Sequence, residues 1–73
     1  MEMIEVESSM IDSIGYEEAT SRMVIVFSNG HVYEFHLVPK SVFDQFLKAE
    51  SKGSFFMENL KFSQYGRRVS KLE

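Results

Sequence analysis

Stretches rich in β-branched and aromatic residues fill the first half of the chain and predict extended strands. The strongest is Arg22–Phe27 (RMVIVF), in which every residue after the arginine is apolar. Shorter alternating segments at residues 4–6 and 10–16 precede it, and residues 31–37 return as its partner. Within residues 10–16, Gly15 predicts a bulge or a bend.

The tetrapeptide between the two central strands predicts how they pair. Residues 28–31 read Ser-Asn-Gly-His, which is typical of a two-residue type I′ hairpin turn. Such a turn sets Val26 opposite Tyr33 and Val24 opposite Phe35 on one face of the sheet. The apolar side chains on the other face are then Met23, Ile25 and Phe27.

The second half of the chain has helical spacing. Pro39 suits the first position of a helix, and Gly53 is the predicted stop. Ser54 can cap a second, shorter helix that ends near Leu60. From residue 62 the chain is basic and predicts an irregular tail, with Tyr65 packed back onto the domain. The apolar stripe of the main helix consists of Val42, Phe43, Phe46, Leu47 and Ala49.

These elements together predict one α+β domain over residues 1–73. We expect a small antiparallel sheet of three to four strands with a central Asn-Gly hairpin, packed against one main helix and a short second helix. The chain has no Cys, and His31 and His36 are its only soft ligands, so we expect neither disulfides nor a metal site. No signal peptide or membrane span is visible, and the absence of Cys fits the cytoplasm.

A domain of this size gains little net stability from its own core, and oligomerisation is a common remedy. One main helix can cover only one side of a small sheet. The face that carries Met23, Ile25 and Phe27 would then form the kind of apolar patch that marks an interaction site. The sequence therefore predicts a homo-oligomer, unless the short second helix covers that face.

Charge is unevenly distributed along the chain, whose formal net charge is -3. Residues 1–39 hold seven acidic side chains against one basic side chain, whereas residues 40–73 hold seven basic against four acidic. The asymmetry could steer an anion to one side, or it could be ordinary solvated surface. Long nucleic acid is usually held by proteins that are basic overall, so a small nucleotide ranks level with RNA as a ligand.

The candidate chemistry is that of binding, because no catalytic set converges and no phosphate-binding glycine loop is present. Tyr33 and Phe35 lie on one face of a strand, where a planar base could stack, although such residues are more often part of the core. Arg67 and Arg68 could hold phosphate in bidentate fashion, or could belong to a solvated tail. Lys52 and the amides after Gly53 would begin a helix, which favours anions. The candidate ligand-binding residues are Tyr33, Phe35, Lys52, Ser54, Tyr65, Arg67 and Arg68.

The order of residues resembles the KTSC domain family, a module named for its place at the C-terminus of some lysyl-tRNA synthetases and also found as a free-standing bacterial and phage protein. The resemblance runs from about residue 6 to residue 67. It is carried by Val6, Ser8, Ser9, Ile11, Ile14, Gly15, Tyr16, Phe27, Gly30, Tyr33, Glu34, Phe35, Val38, Pro39, Val42, Ser51, Lys52, Gly53, Phe55, Phe56, Tyr65 and Arg67. Two positions depart from the family pattern, since Phe35 stands where a second Tyr is usual and Met57 where Asn is common.

The synthetase context implies a nucleotide or RNA ligand, bound without catalysis and without a cofactor. The phage members imply a more specific role, as a sponge that sequesters cyclic nucleotide signals of bacterial immunity. The alternative is a protein-interaction or accessory module that has no nucleotide ligand and whose aromatic residues are purely structural.

Overall fold

The computed structural model describes residues 1–61 and 65–71, and of residues 66–71 it describes the backbone only. The chain forms an antiparallel sheet in which each strand pairs with the next one in sequence. The strands are β1 (Met3–Glu5), β2 (Ile11–Glu17), β3 (Arg22–Phe27), β4 (His31–His36) and β5 (Gly66–Lys71). Between β4 and β5 lie α1 (Lys40–Lys48) and α2 (Lys52–Phe55), and α2 continues into a π-helical turn (Phe56–Leu60). The predicted α+β fold, with its central hairpin, main helix and short second helix, is confirmed.

The fifth strand is the largest difference from the predicted secondary structure. β5 lies where the sequence predicted an irregular tail, and it pairs antiparallel with the whole length of β4. Its sequence, GRRVSK, has a single apolar side chain and therefore no alternating pattern. Tyr65, just before it, packs against the core as predicted.

The hairpin between β3 and β4 has three loop residues rather than two. The amide of Gly30 donates to the carbonyl oxygen of Phe27 at 3.0 Å, and Gly30 has a φ of 91°. This geometry is a type I turn followed by a glycine in the left-handed region. It shifts the pairing of the two strands by one residue relative to a type I′ turn. The side chain of Asn29 completes the loop by accepting from the amide of His31 at 3.0 Å.

The shifted register changes which side chains share a face. Ile25 pairs with Tyr33 and Met23 pairs with Phe35, so the predicted pairing of those aromatic residues with Val26 and Val24 is wrong. A slip of one residue reverses the face of every partner. As a result, Tyr33 and Phe35 lie on the face that carries the large apolar side chains of β3.

Both helical segments cover this one face of the sheet. The ring of Phe43 in α1 stacks on Tyr16 at 4.9 Å between centroids, and Phe56 of the π turn contacts Phe27 edge-on at 5.0 Å. Met23 and Ile25 are fully buried beneath them. The premise of the oligomer prediction, that the second face would expose Met23, Ile25 and Phe27, is therefore wrong. The open face instead carries Val24, Val26 and Val32.

The bulge in β2 lies at Asp12 and not at Gly15. The register of β2 against β3 shifts between Ile11 and Ser13, so one residue is extra on β2. Ile11 and Ile14 are three residues apart and would face opposite ways in a regular strand, yet both are fully buried. The bulge brings both side chains to the helix-covered face, whereas Gly15 pairs regularly with Val24.

Helix boundaries differ from prediction by a few residues. Pro39 is the cap that precedes α1, and the chain leaves the helix at Ala49. The cap of α2 is Ser51, whose Oγ accepts from the amide of Ser54 at 3.2 Å, so Ser54 is not the cap. Gly53 lies inside α2 and ends no helix. The break between the helices follows no glycine or proline, which is why the pattern did not locate it.

Leu37 has a strained backbone at the end of β4. Its φ is 61°, although its side chain is 77% exposed and contributes little to packing. Two bonds at the next residue hold the chain there: the amide of Val38 donates to Ser21 O at 2.9 Å, and its carbonyl oxygen accepts from Tyr16 Oη at 2.6 Å.

We expect Leu37→Asn to raise the free energy of unfolding by about 0.5–1 kcal/mol, because Asn tolerates the left-handed region that costs other residues about 1–2 kcal/mol. Urea denaturation monitored by circular dichroism measures the change. Leu37→Ala is the matched control, since it shortens the side chain and keeps the strain. Equal midpoints for the two variants would contradict the explanation.

Candidate functional site

A pocket of about 190 Å3 opens at the turn end of the β3–β4 hairpin, where the π turn lies across it. We call it the hairpin pocket. Its apolar wall consists of Phe27 at the end of β3, Tyr33 in β4 and Phe56 in the π turn. The Tyr33 ring lies 4.8 Å from Phe27 and 5.6 Å from Phe56, measured between centroids. Phe27 and Phe56 are almost fully buried, so their rings form a fixed wall.

Four polar residues surround this aromatic wall. Ser28, Asn29 and His31 come from the hairpin, and Lys61 follows the π turn. The amide of Lys61 donates to Phe56 O at 2.8 Å, which is the i→i+5 bond that holds the turn. The pocket thus combines flat apolar surface with a few polar groups, as ligand sites do.

Two methionines complete the lining. Met57 is 47% exposed, and Met10 is half-buried. The backbone of Met10 is held in place, because Ser28 N donates to its carbonyl oxygen at 3.0 Å and its own amide donates to Ser8 Oγ at 3.1 Å. Their unbranched thioether side chains can adapt to the face of a planar ring.

A second cleft, of about 350 Å3, lies on the other side of Met10. We call it the serine cleft, and it is lined by Glu7, Ser8, Ser9, Met10, Glu50, Ser51, Lys52, Gly53 and Ser54. Two of its hydroxyl oxygens already accept from the backbone: Ser8 Oγ accepts from two amides, and Ser51 Oγ caps α2. Lys52 Nζ donates to Ala49 O at 2.6 Å.

The electrostatics of the serine cleft do not favour an anion. Two carboxylates, from Glu7 and Glu50, line it against the single ammonium of Lys52. The amides after Gly53 are occupied, because Ser54 N donates to Ser51 Oγ and Phe55 N donates to Ser51 O. The predicted anion site after Gly53 therefore lacks the free donors on which it depended.

A third cleft, of about 500 Å3, separates β1 from α1. Its floor is apolar, formed by Ile4, Val6 and Leu47, and Glu5 and Glu50 stand at its margin.

On the opposite, open face of the sheet, the carboxylate of Glu34 binds Arg22 at 2.6 Å and His36 at 3.2 Å. Within residues 1–61 and 65, no three His, Asp or Glu side chains approach closely enough to hold a metal ion. None of the helices described is long and apolar enough to cross a membrane.

Comparison with known proteins identifies the family. The sequence model of the KTSC domain matches residues 7–65. The chain belongs to the KTSC domain family. A crystal structure of a KTSC domain protein from Yersinia pestis superimposes with a TM-score of 0.84 at 30% identity, and the match covers 99% of this chain and 97% of that one.

Two relatives show the range of the family. A protein of Tsukamurella paurometabola is 44% identical over 50 residues, which are 68% of this chain and 75% of that protein. A lysine–tRNA ligase of Nostoc punctiforme is 37% identical over 59 residues, which are 81% of this chain. This chain spans only 10% of that ligase.

The KTSC fold separates the residues that the sequence suggested for binding. Tyr33 lies in the hairpin pocket, whereas Lys52 and Ser54 line the serine cleft. Phe35 has no exposed surface, so its ring belongs to the core and offers a ligand no face. Tyr65 is half-buried against the core.

Arg67 and Arg68 occupy β5, where their backbones pair with Phe35 and Glu34. Their side chains lie outside the described part of the structure, so their predicted contact with phosphate stays a prediction.

Most of the hairpin pocket was not suggested by the sequence. Asn29 and His31 were assigned to a turn and a strand, and Phe56 to the core of the second helix. The only local signal was the aromatic strand beside the Asn-Gly loop. What makes a pocket of them is the packing of the π turn, some thirty residues later, against the end of the hairpin.

Proposed function

We propose that this KTSC domain is a non-enzymatic binding domain that takes one unstacked base, of a nucleotide or of single-stranded RNA, into the hairpin pocket. The observation that carries the proposal is the cavity walled by Phe27, Tyr33 and Phe56 and edged by polar side chains. Proteins bind unpaired bases by stacking them on aromatic rings and by hydrogen bonds to the base edge. The pocket offers polar groups at its edge and, for stacking, the half-buried ring of Tyr33, which is supported by the buried rings of Phe27 and Phe56.

The charge of the chain supports a ligand with few phosphates. A formal net charge of -3 is unusual for a protein that holds long nucleic acid through many phosphate contacts. Lys61 stands at the pocket, and β5 brings Arg67 and Arg68 onto the neighbouring strand. One base and an adjacent phosphate are the chemistry common to a free nucleotide, a cyclic nucleotide signal and the end of an RNA.

The chemistry of the described side chains supports a role without catalysis. Ser8 and Ser51 each accept from a backbone amide, and neither has a general base beside it in these bonds. His31 and His36 lie on opposite faces of β4, where they cannot act together. A nucleobase held in the hairpin pocket would contact side chains that can bind it. It would not contact a nucleophile paired with a general base.

We expect Tyr33→Leu to weaken binding of the tightest ligand by about 1–3 kcal/mol, the usual value of one stacked base. Nucleoside monophosphates, cyclic dinucleotides and short single-stranded RNA are first compared by thermal shift, because a ligand of the folded state raises the melting temperature. Isothermal titration calorimetry then measures affinity for the wild type and the variant. Tyr33→Phe keeps the ring and is the matched control.

Equal affinity in wild type and Tyr33→Leu would place the ligand elsewhere. If no compound in the panel shifts the melting temperature, the domain is better described as a protein-interaction module. The specific feature that favours that second function is the β1–α1 cleft, with its apolar floor and acidic margin. Preference for RNA over mononucleotides, or for cyclic dinucleotides over both, identifies the source of the base.

A further inference from the structure

We propose that the hairpin pocket selects a single-ring base that presents carbonyl groups, as uracil does, and that Asn29 recognises the carbonyl. This inference rests on the proposed function and narrows its ligand class. Two independent features lead to it, the volume of the pocket and the unpaired donor of Asn29.

The volume of about 190 Å3 is small for a ligand pocket, which favours a small single-ring base. Pockets for drug-sized ligands measure about 300–1,000 Å3. The hairpin pocket has little scope to deepen, since Phe27 and Phe56 are 6% and 2% exposed and pack edge-on against each other. Met10 and Met57 are its adaptable side chains, and a methionine that swings aside changes the sides of the pocket rather than its aromatic wall.

The orientation of the Asn29 carboxamide is fixed by the turn. Its Oδ1 accepts from the amide of His31 at 3.0 Å, and this bond leaves Nδ2 as a donor without a partner among the described residues. The neighbouring hydroxyl of Ser28 does not compete, because it lies within hydrogen-bond distance of the carbonyl oxygens of Ser9 and Met10, at 3.1 and 3.2 Å. The pocket edge therefore presents an amide N–H donor.

A donor of this kind discriminates between pyrimidines. Uracil has a carbonyl on each side of its N3 position, so it meets the Asn29 donor in either orientation. Cytosine has one carbonyl and one amino group in those places, and half of its orientations set donor against donor. Adenine has no carbonyl and carries a second ring.

The test uses nucleosides, which separate base recognition from phosphate binding, and the full chain. Wild type should bind uridine about twofold more tightly than cytidine, because cytosine has only half as many productive orientations at the Asn29 donor. It should also bind uridine more tightly than adenosine, since the smaller ring can lie wholly within the small pocket. Chemical-shift titration by NMR measures these affinities and reports whether the hairpin amides respond.

Asn29→Asp is the decisive variant. A carboxylate oxygen still accepts from His31 N and keeps the turn, while the donor becomes a second acceptor. The variant should reverse the preference, so that cytidine binds more tightly than uridine. Should the variant fail to fold, the ranking of the three nucleosides on wild type decides alone.

The outcomes separate the two proposals. Uridine and cytidine binding equally to wild type, or a preference for purines, overturns the inference and leaves base binding in the hairpin pocket standing. A preference unchanged in folded Asn29→Asp removes Asn29 from recognition. No response to any nucleoside overturns the inference together with the function on which it rests.

Discussion

Replacing Phe35 by alanine should unfold most of the protein at room temperature. The ring has no exposed surface and lies among the aromatic side chains of the hairpin and the π turn, 6.3 Å from Tyr33 and 6.2 Å from Phe56 between centroids. Truncating a buried phenylalanine costs about 3–5 kcal/mol. A single core in a domain of this length rarely supplies more than about 3–5 kcal/mol, so the loss equals the whole net stability.

Urea denaturation and near-ultraviolet circular dichroism measure the effect, with Phe35→Leu as the matched control. Leucine keeps an apolar side chain in the same space and should lose clearly less stability. The comparison also decides whether Phe35 is a site residue, as its spacing from Tyr33 first suggested. A Phe35→Ala variant that stays folded and loses only ligand binding would contradict the assignment of Phe35 to the core and would make it a binding residue.

Four strands and both helices could be predicted because their signals are local. The run at Arg22–Phe27, the Asn-Gly turn and the apolar stripe after Pro39 each lie within a dozen residues. β5 has no such signal: one valine among basic residues becomes a strand by pairing along β4. Its formation depends on a neighbour that the local sequence does not contain.

The β3–β4 hairpin was predicted correctly, but its register was not. The side chains of β4 were therefore assigned to the wrong face of the sheet. A type I′ turn and a type I turn with a left-handed glycine both accept Ser-Asn-Gly, and both place Gly30 at positive φ. The choice between them moved Tyr33 opposite Ile25, beneath the helices. The hairpin pocket could not be predicted from the sequence either, because it forms only where that face of the sheet meets the π turn.

Neighbouring residues of β3 give the sharpest test of the face assignment, since Ile25 and Val26 are adjacent and point in opposite directions. Ile25 is fully buried between Ile14 of β2 and Tyr33 of β4. Val26 is half-buried on the open face. We expect Ile25→Lys to abolish cooperative unfolding, because an isolated ammonium in this core costs more than the domain's entire stability.

Val26→Lys should keep the fold, with a change of no more than about 0.5–1 kcal/mol, because its side chain can reach water. Circular dichroism and urea denaturation compare the two lysine variants at one concentration. Two folded variants, or two unfolded ones, would contradict the assignment of the faces.

The same pair of variants tests the expected homo-oligomer. The oligomer stays a prediction, although the exposed apolar face on which it was based proved to be covered by the helices. If copies associate through the sheet, the surface available is the open face with Val24, Val26 and Val32, and not the side chains of Met23 and Ile25. Light scattering after size exclusion should then give a multiple of the 8.5 kDa chain mass for wild type and a folded monomer for Val26→Lys. A wild type that is monomeric at tens of micromolar would mean that burying one face under two helical segments is enough for stability, and that the open face remains in contact with solvent.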